Sequence, residues 1–351
     1  SRVLIGICSL FIINNNKNKG VINMNKLTKI GLTALAGSLV ATSAFAGAMS
    51  VAGSASMNME HSNGGAENTG KTFSMGNQLT FSGSGELDNG LNVSLSFVID
   101  QGDDENNNET SPFDSHSVAV SSDSLGTLTL AGEGGSSAQT ALDTSAAGDI
   151  WDNFDGHATG ANAEILRGTS ATSGNMLMYT LPSLMDDLTV KVSYVPTGTT
   201  SLSSTAWSVG YAGVDGLSVS YGVGEGSTNG TDEDVYSLTA TYAYGPVTVG
   251  YSVTDYETSA ANSTTVGDSE MTSYAITYTV SDELSVKYGT ETISSTQTDA
   301  AQDGEYSSIS ASYVSGGMTI TAAMQDAENI DGSTTATKDQ ERWALGASFA
   351  F

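Results

Sequence analysis

The sequence predicts an all-β protein whose strands close into a transmembrane antiparallel barrel of about sixteen strands. Three observations carry that prediction. From Gly47 onward apolar and polar residues alternate with period two, the signature of a strand with one greasy and one wet face. Short turns and long polar connections also alternate along the whole chain, an asymmetry that transmembrane barrels share and soluble sandwiches have no reason to adopt. The composition fits neither an ordinary soluble enzyme nor a helical bundle. Only 14% of the 351 residues are charged, Gly is 40 and Pro only 4. The main body has no apolar run of the ~18 residues that a spanning helix needs.

Residues 24–46, MNKLTKIGLTALAGSLVATSAFA, read as a secretory signal peptide. Lys26 and Lys29 supply the positive start, Ile30 to Val40 the apolar stretch, and Ala44-Phe45-Ala46 a small-x-small cleavage site. Residues 1–23 precede Met24 and read as an upstream extension outside the fold. Cleavage after Ala46 removes Arg2, Lys17, Lys19, Lys26 and Lys29 and no acid. The mature chain, 47–351, then carries 6 bases against 39 acids, a net charge of −33 instead of −28. It also loses Cys8, the single cysteine, so neither a disulfide framework nor a cysteine zinc site is expected. So acidic a chain does not bind nucleic acid through its phosphates.

The strands read cleanly. Val247, Val249, Tyr251 and Val253 share one face, against Thr248, Gly250, Ser252 and Thr254. Leu188 to Tyr194, Leu217 to Tyr221, Tyr274 to Val280 and Leu284 to Tyr288 repeat the split. Asp88-Asn89-Gly90, Gly245-Pro246 and Ser315-Gly316-Gly317 have hairpin chemistry. The other connections, 60–70, 100–114, 132–174, 196–205, 224–234, 257–269, 294–304 and 328–339, are long and mostly acidic. Lipid offers no hydrogen-bond partner, so the sheet closes on itself and turns its apolar face outward. The inward positions, among them Ser82, Asn92, Ser96, Thr321 and Gln325, then line an aqueous lumen.

The last strand, Arg342 to Phe351, alternates Trp343, Leu345, Ala347, Phe349 and Phe351 on one face. It resembles the closing strand of Gram-negative outer-membrane proteins. Gly85-Glu86-Leu87-Asp88-Asn89-Gly90-Leu91, Leu125 to Gly132 and Asn175 to Ser183 resemble the first hairpin, the fifth strand and the strand after the third loop of the general trimeric porins. The resemblance extends over 47–351 in layout. It implies short periplasmic turns, long extracellular loops, a homotrimer in contact with outer-membrane lipid and lipopolysaccharide, and a channel for small hydrophilic solutes. It implies that Phe351 belongs to the signal read by the barrel-assembly machinery. It also implies that the longest loop, 132–174, folds into the lumen with Asp143, Asp149, Asp152, Asp155 and Glu164. The arginine cluster such porins set against these acids is missing, since the early strands contain only Lys71.

Alternation places Lys191, Lys287, Glu291 and Arg342 on the inner wall, and Arg167 ends the long loop. These residues and the five loop acids are the expected pore lining. With 39 acids against 6 bases, cations concentrate at the mouth, and a cation-preferring pore is expected. Asp100, Asp103, Asp104 and Glu105 cluster hard oxygen ligands and are candidates for a weakly held calcium ion. The same run, like Thr231-Asp232-Glu233-Asp234, also stands without a ligand as a solvated acidic segment. No other cofactor is expected. His61, His116 and His157, the only histidines, form no arrangement that selects an enzyme. The alternative function is a structural or adhesive barrel whose acidic loops bind ligands. It shares the fold and the compartment, and differs in whether the lumen is open.

Overall fold

In the computed structural model, residues 49–64, 70–100, 114–154, 175–196, 203–228, 231–259, 267–296, 300–332 and 339–351 are described. They carry sixteen strands. These are β1 (Ser50–Asn63), β2 (Gly70–Glu86), β3 (Asn92–Asp100), β4 (Ser115–Ser122), β5 (Gly126–Glu133) and β6 (Met176–Thr180). They continue as β7 (Leu188–Val195), β8 (Ser204–Val214), β9 (Leu217–Thr228), β10 (Thr231–Tyr244) and β11 (Val247–Thr258). The last are β12 (Ser269–Thr279), β13 (Leu284–Ser295), β14 (Gly304–Ser315), β15 (Met318–Glu328) and β16 (Gln340–Ala350). Each pairs antiparallel with its sequence neighbours, and β1 pairs with β16, so the sheet is closed.

Closure runs to the last residue. Phe351 N–H donates to Gly53 O at 3.0 Å, and Gly53 N–H donates to Phe351 O at 2.7 Å. A Cβ on Gly53 would sit 2.6 Å from the Phe351 ring, so glycine is what lets that aromatic lie across β1.

The register decides which face each residue takes. Tyr274, Ile276 and Tyr278 on β12, Tyr288 on β13 and Val249 on β11 are exposed large apolar side chains, and all lie on one parity of their strands. The opposite parity turns Ser252, Ser273 and Glu291 inward, where they are buried. The protein therefore wears its apolar surface outside, as a lipid-facing barrel must. Aromatic pairs on this outer face lie across neighbouring strands. The rings of Trp207 and Tyr221 are 5.7 Å apart, and Phe81 and Phe97 stack at 4.9 Å.

Two expectations change. The segment 224–234 is not a long loop: β9 runs to Thr228 and β10 starts at Thr231, so the hairpin continues almost to its tip. The acidic run at 231–234 is therefore strand. Its alternation turns Glu233 inward, where it accepts a hydrogen bond from the Tyr256 hydroxyl at 3.1 Å. The inner wall is also not uniformly polar. Met271, Ile293, Tyr306 and Ala327 point inward near the long-loop ends of β12–β15 and are buried against the third loop.

The register makes a paired prediction. Ile276→Arg places a charge on the lipid face and is expected to destabilise the folded barrel by roughly 2–4 kcal/mol if it lies near mid-bilayer. Thr277→Arg, one residue on, points inward and is expected to change stability little. Urea unfolding of both variants in lipid vesicles measures the difference.

Candidate functional site

The site is built where the third loop crosses the inner wall. Residues 134–154 leave β5 and pass over the inward faces of β7 to β13. Two short 3-10 turns, Thr140–Leu142 and Trp151–Phe154, give the segment its shape.

The wall receives the loop with a row of inward hydroxyls ending in one carboxylate. Ala138 N–H donates to Ser193 Oγ of β7 at 3.0 Å. Ala146 N–H donates to Ser252 Oγ of β11 at 2.8 Å, and Ala147 N–H to Ser273 Oγ of β12 at 2.9 Å. Trp151 N–H donates to Glu291 Oε2 of β13 at 2.9 Å, and the Ser145 hydroxyl donates to Glu291 Oε1. These bonds satisfy loop backbone that lies against the wall and out of water.

Close approach requires missing side chains. A Cβ on Gly222 would lie 3.0 Å from Leu142, one on Gly250 3.2 Å from Ala146, and one on Gly289 2.7 Å from Ala147. Three inward glycines on β9, β11 and β13 thus form the bed of the loop. Beyond them the loop makes a small conventional core. Ile150 and Phe154 pack with Met271, Ile293, Tyr306, Ala327 and Ile330, and Trp151 lies against that cluster.

The loop acids have unequal surroundings. Asp143 follows the first 3-10 turn and accepts hydrogen bonds from Ser237 Oγ at 3.0 Å and from the Gln139 amide. Burial pushes its carboxyl up to about 6, although both hydrogen bonds oppose the shift, and Asp149 adds repulsion. Burial also raises Asp149, with Asp152 adding to the shift, while bonds from the Ser145 N–H and the charge of Lys287 oppose it. Asp149 holds a left-handed backbone, φ 54°, closing the turn in which its N–H donates to Ser145 Oγ at 2.8 Å. Asp152 is exposed.

The expected wall residues divide. Lys191 and Lys287 both face inward. Lys191 borders a cavity of about 260 Å³ with Leu142, Thr189, Ser208, Ser218 and Ser220. Lys287 Nζ lies 3.4 Å from the position of a Cβ on Gly148. Arg342 also points inward, but it is neutralised: its guanidinium pairs with Glu60 and donates to Gln325 Oε1 at 2.6 Å. Glu291 differs from expectation. It is only 1% exposed, because the loop closes over it, so it anchors the loop from beneath and does not line the aqueous path.

Asp155, Glu164 and Arg167 lie outside the described residues, as do Asp103, Asp104 and Glu105. Asp100 stands at the end of β3 opposite Gln78. Among the described residues no group of three or more His, Cys, Asp or Glu is placed to hold a metal ion.

Sequence reasoning did not find the hydroxyl row or the glycine bed. The available signal was the set of inward glycines within unbroken strands, which mark close approach of another backbone. Gly289→Val is expected to push Ala147 off β13. Glu291→Ala leaves the Ser145 hydroxyl and the Trp151 N–H without their acceptor, at a cost of roughly 1.5–3 kcal/mol each. Both variants are expected to admit larger polymers, measured as the cut-off in polymer-exclusion conductance, with the barrel still folded.

The profile of a family described as Gram-negative porin matches residues 31–302 of this chain. No curated protein sequence matches it. Among solved structures, the anion-selective porin from Comamonas acidovorans is similar at TM-score 0.63 and 18% identity, covering 87% of this chain and 99% of its own. OmpF of Salmonella typhi, in a complex with daunomycin, is similar at TM-score 0.64 and 14% identity, covering 87% and 98%. A loop-deletion mutant of OmpT from Vibrio cholerae is similar at TM-score 0.61 and 15% identity, covering 87% and 100%.

Proposed function

The chain belongs to the Gram-negative porin family, and from that premise we propose that it is a cation-preferring diffusion channel of the outer membrane for small hydrophilic solutes. The observation that carries the reading is the third loop seated inside a closed barrel whose inward face is mostly hydroxyl-bearing. The loop narrows the lumen without filling it: the serine-lined inner wall of β1 to β4, with Ser82, Ser94 and Ser96, borders an open groove.

The charge balance supports cation preference. Arg342 is held by Glu60, and Lys287 lies within electrostatic reach of Asp149 and Glu291. The loop therefore sets Asp143, Asp149 and Asp152 against Lys191 and Lys287, an excess of acid among the described residues of this part of the lumen. At neutral pH the reversal potential across a planar bilayer under a salt gradient is expected to favour cations. Below pH about 6 the Asp143 carboxyl takes up its proton and the preference should weaken. A chloride-favouring potential would overturn the selectivity. An inserted barrel that passes no current would move the reading to a structural or adhesive role for the acidic loops.

We further infer a homotrimer. All 14 tyrosines lie between Tyr179 and Tyr313, on β6 to β14. The outer faces of β1 to β3 instead expose Val51, Met57, Phe73, Met75, Leu79 and Leu95. Tyr marks a wall that meets lipid headgroups, so a wall without it suits contact with another subunit. Met75→Arg, opposite Met57 in the register, is expected to convert trimers to folded monomers on native electrophoresis. The signal peptide, with cleavage near Ala46, and assembly through the strand ending in Phe351 belong to the same reading. Lipopolysaccharide contact and a weakly held calcium ion at the 100–105 segment complete it.

A further inference from the structure

We propose that Glu60 is a selectivity-determining residue of the lumen: by pairing with Arg342 across the closing seam of the barrel it removes a permanent positive charge from the water-filled path. The consequence for permeation rests on the channel reading above; the masking of the guanidinium does not.

The barrel closes where β16 meets β1, and the inner face of that seam carries one polar network. Four residues build it, each within four positions of the strand end that leads into a long connection. Gln325 of β15 lies directly opposite Arg342 of β16, and Thr72 of β2 directly opposite Glu60 of β1. Across the seam itself Arg342 is opposite Ser62 and Glu60 is opposite Ala344. The two charged residues therefore meet on a diagonal, a reach that long side chains can make. One guanidinium nitrogen of Arg342 pairs with Glu60 Oε2, and another donates to Gln325 Oε1 at 2.6 Å. The Thr72 hydroxyl donates to Glu60 Oε1 at 3.4 Å.

The two charges are unequally placed. The Arg342 side chain is 14% exposed and that of Glu60 is 38% exposed. Gln325 and Ser62 beside them are buried. The carboxylate is thus the more open to water of the pair, and the guanidinium the more enclosed.

Chemistry makes a partner necessary for this arginine. A guanidinium keeps its charge at any pH a channel meets, so its field is cancelled only by an anion held against it. Arg342 is the only arginine among the described residues, and the inward lysines, Lys191 and Lys287, stand elsewhere, on β7 and β13. Holding the seam together does not require these charges. β1 and β16 already pair through their backbones from Ser54 to Asn63, and the bonds between Gly53 and Phe351 extend that pairing to the last residue. An ion pair partly open to water adds little to stability. Its effect on the lumen is larger. Replacing either partner leaves the other charge on the inner wall, and the two replacements act in opposite directions.

The test uses the mature chain in lipid and two readouts. In an Arg167→Lys background Arg342 is the remaining arginine of residues 47–351. Its modification by phenylglyoxal in the folded barrel, followed by mass spectrometry, is expected to rise about 10-fold or more in Glu60→Gln, the scale of one lost hydrogen bond to a charged group. Equal reactivity in the parent and in Glu60→Gln would overturn the masking, whether or not the barrel conducts. The reversal potential under a salt gradient reads the consequence. Glu60→Gln is expected to lower the ratio of cation to anion permeability about twofold, the scale of one unit charge ~10 Å from the ion path in water. Arg342→Gln tests the same pair from the other side and is expected to raise the ratio by a similar factor. The double variant is expected to return it to the parent value. A merely structural pair would leave the ratio unmoved in all three variants, and that result would overturn the assignment. A barrel in which Glu60→Gln exposes Arg342 to the reagent but which passes no current would retain the pairing and overturn the channel reading.

Discussion

Every feature of this protein depends on one constraint: a peptide group in hydrocarbon must find its hydrogen-bond partner within the protein. A sheet meets that demand only when its first and last strands pair, which β1 and β16 do through the final residue. Closure then divides the side chains into an outer set that dissolves in lipid and an inner set that meets water. The parity of each strand is therefore fixed by burial, and a slip of one residue would put Ser273 in lipid and Tyr274 in the lumen. Function follows from the inner set alone, because the outer set is committed to the bilayer.

The same constraint governs the third loop. A segment that leaves the sheet and lies on its inner wall loses water on one side, so its N–H groups need acceptors there. Inward Ser193, Ser252 and Ser273, with Glu291, provide them. Hydroxyls suit this purpose because they accept a bond while remaining neutral, so the wall binds backbone without setting buried charge against buried charge. Glu291 is the exception, and it accepts from both a backbone N–H and a hydroxyl, as a buried carboxylate must.

This explains which parts of the molecule were legible in the sequence. The strands were, because lipid imposes period two on every one of them and leaves no competing solution. The rims were, because hairpin turns such as Asp88-Asn89-Gly90 have chemistry of their own. The length of the β9–β10 hairpin was misjudged because above the membrane both faces of a strand are polar and the alternation disappears. Thr231 to Asp234 then reads as loop although it pairs in register. The loop bed was not read because Ser193, Ser252 and Ser273 have the composition of any wet wall. Only contact with another segment separates them from Ser82 or Ser94. Alternation assigns Lys191 and Lys287 to the inward parity, but alternation could not show that Glu291, on the same face as Lys287, would be covered.

The covering of Glu291 also shows why counting acids is a poor guide to the field in this lumen. The chain has 39 acids, yet the charges nearest the loop are each modified by their setting. Glu291 lies under the loop, Glu60 holds Arg342, and Asp143 sits among neutral donors. A general porin fold usually sets loop acids against basic residues across the lumen, and here the inner wall of β1 to β4 is lined largely by serine. Among the described loop carboxyls, how many are ionised depends on their setting, and the burial that raises Asp143 to about 6 makes that number change with pH.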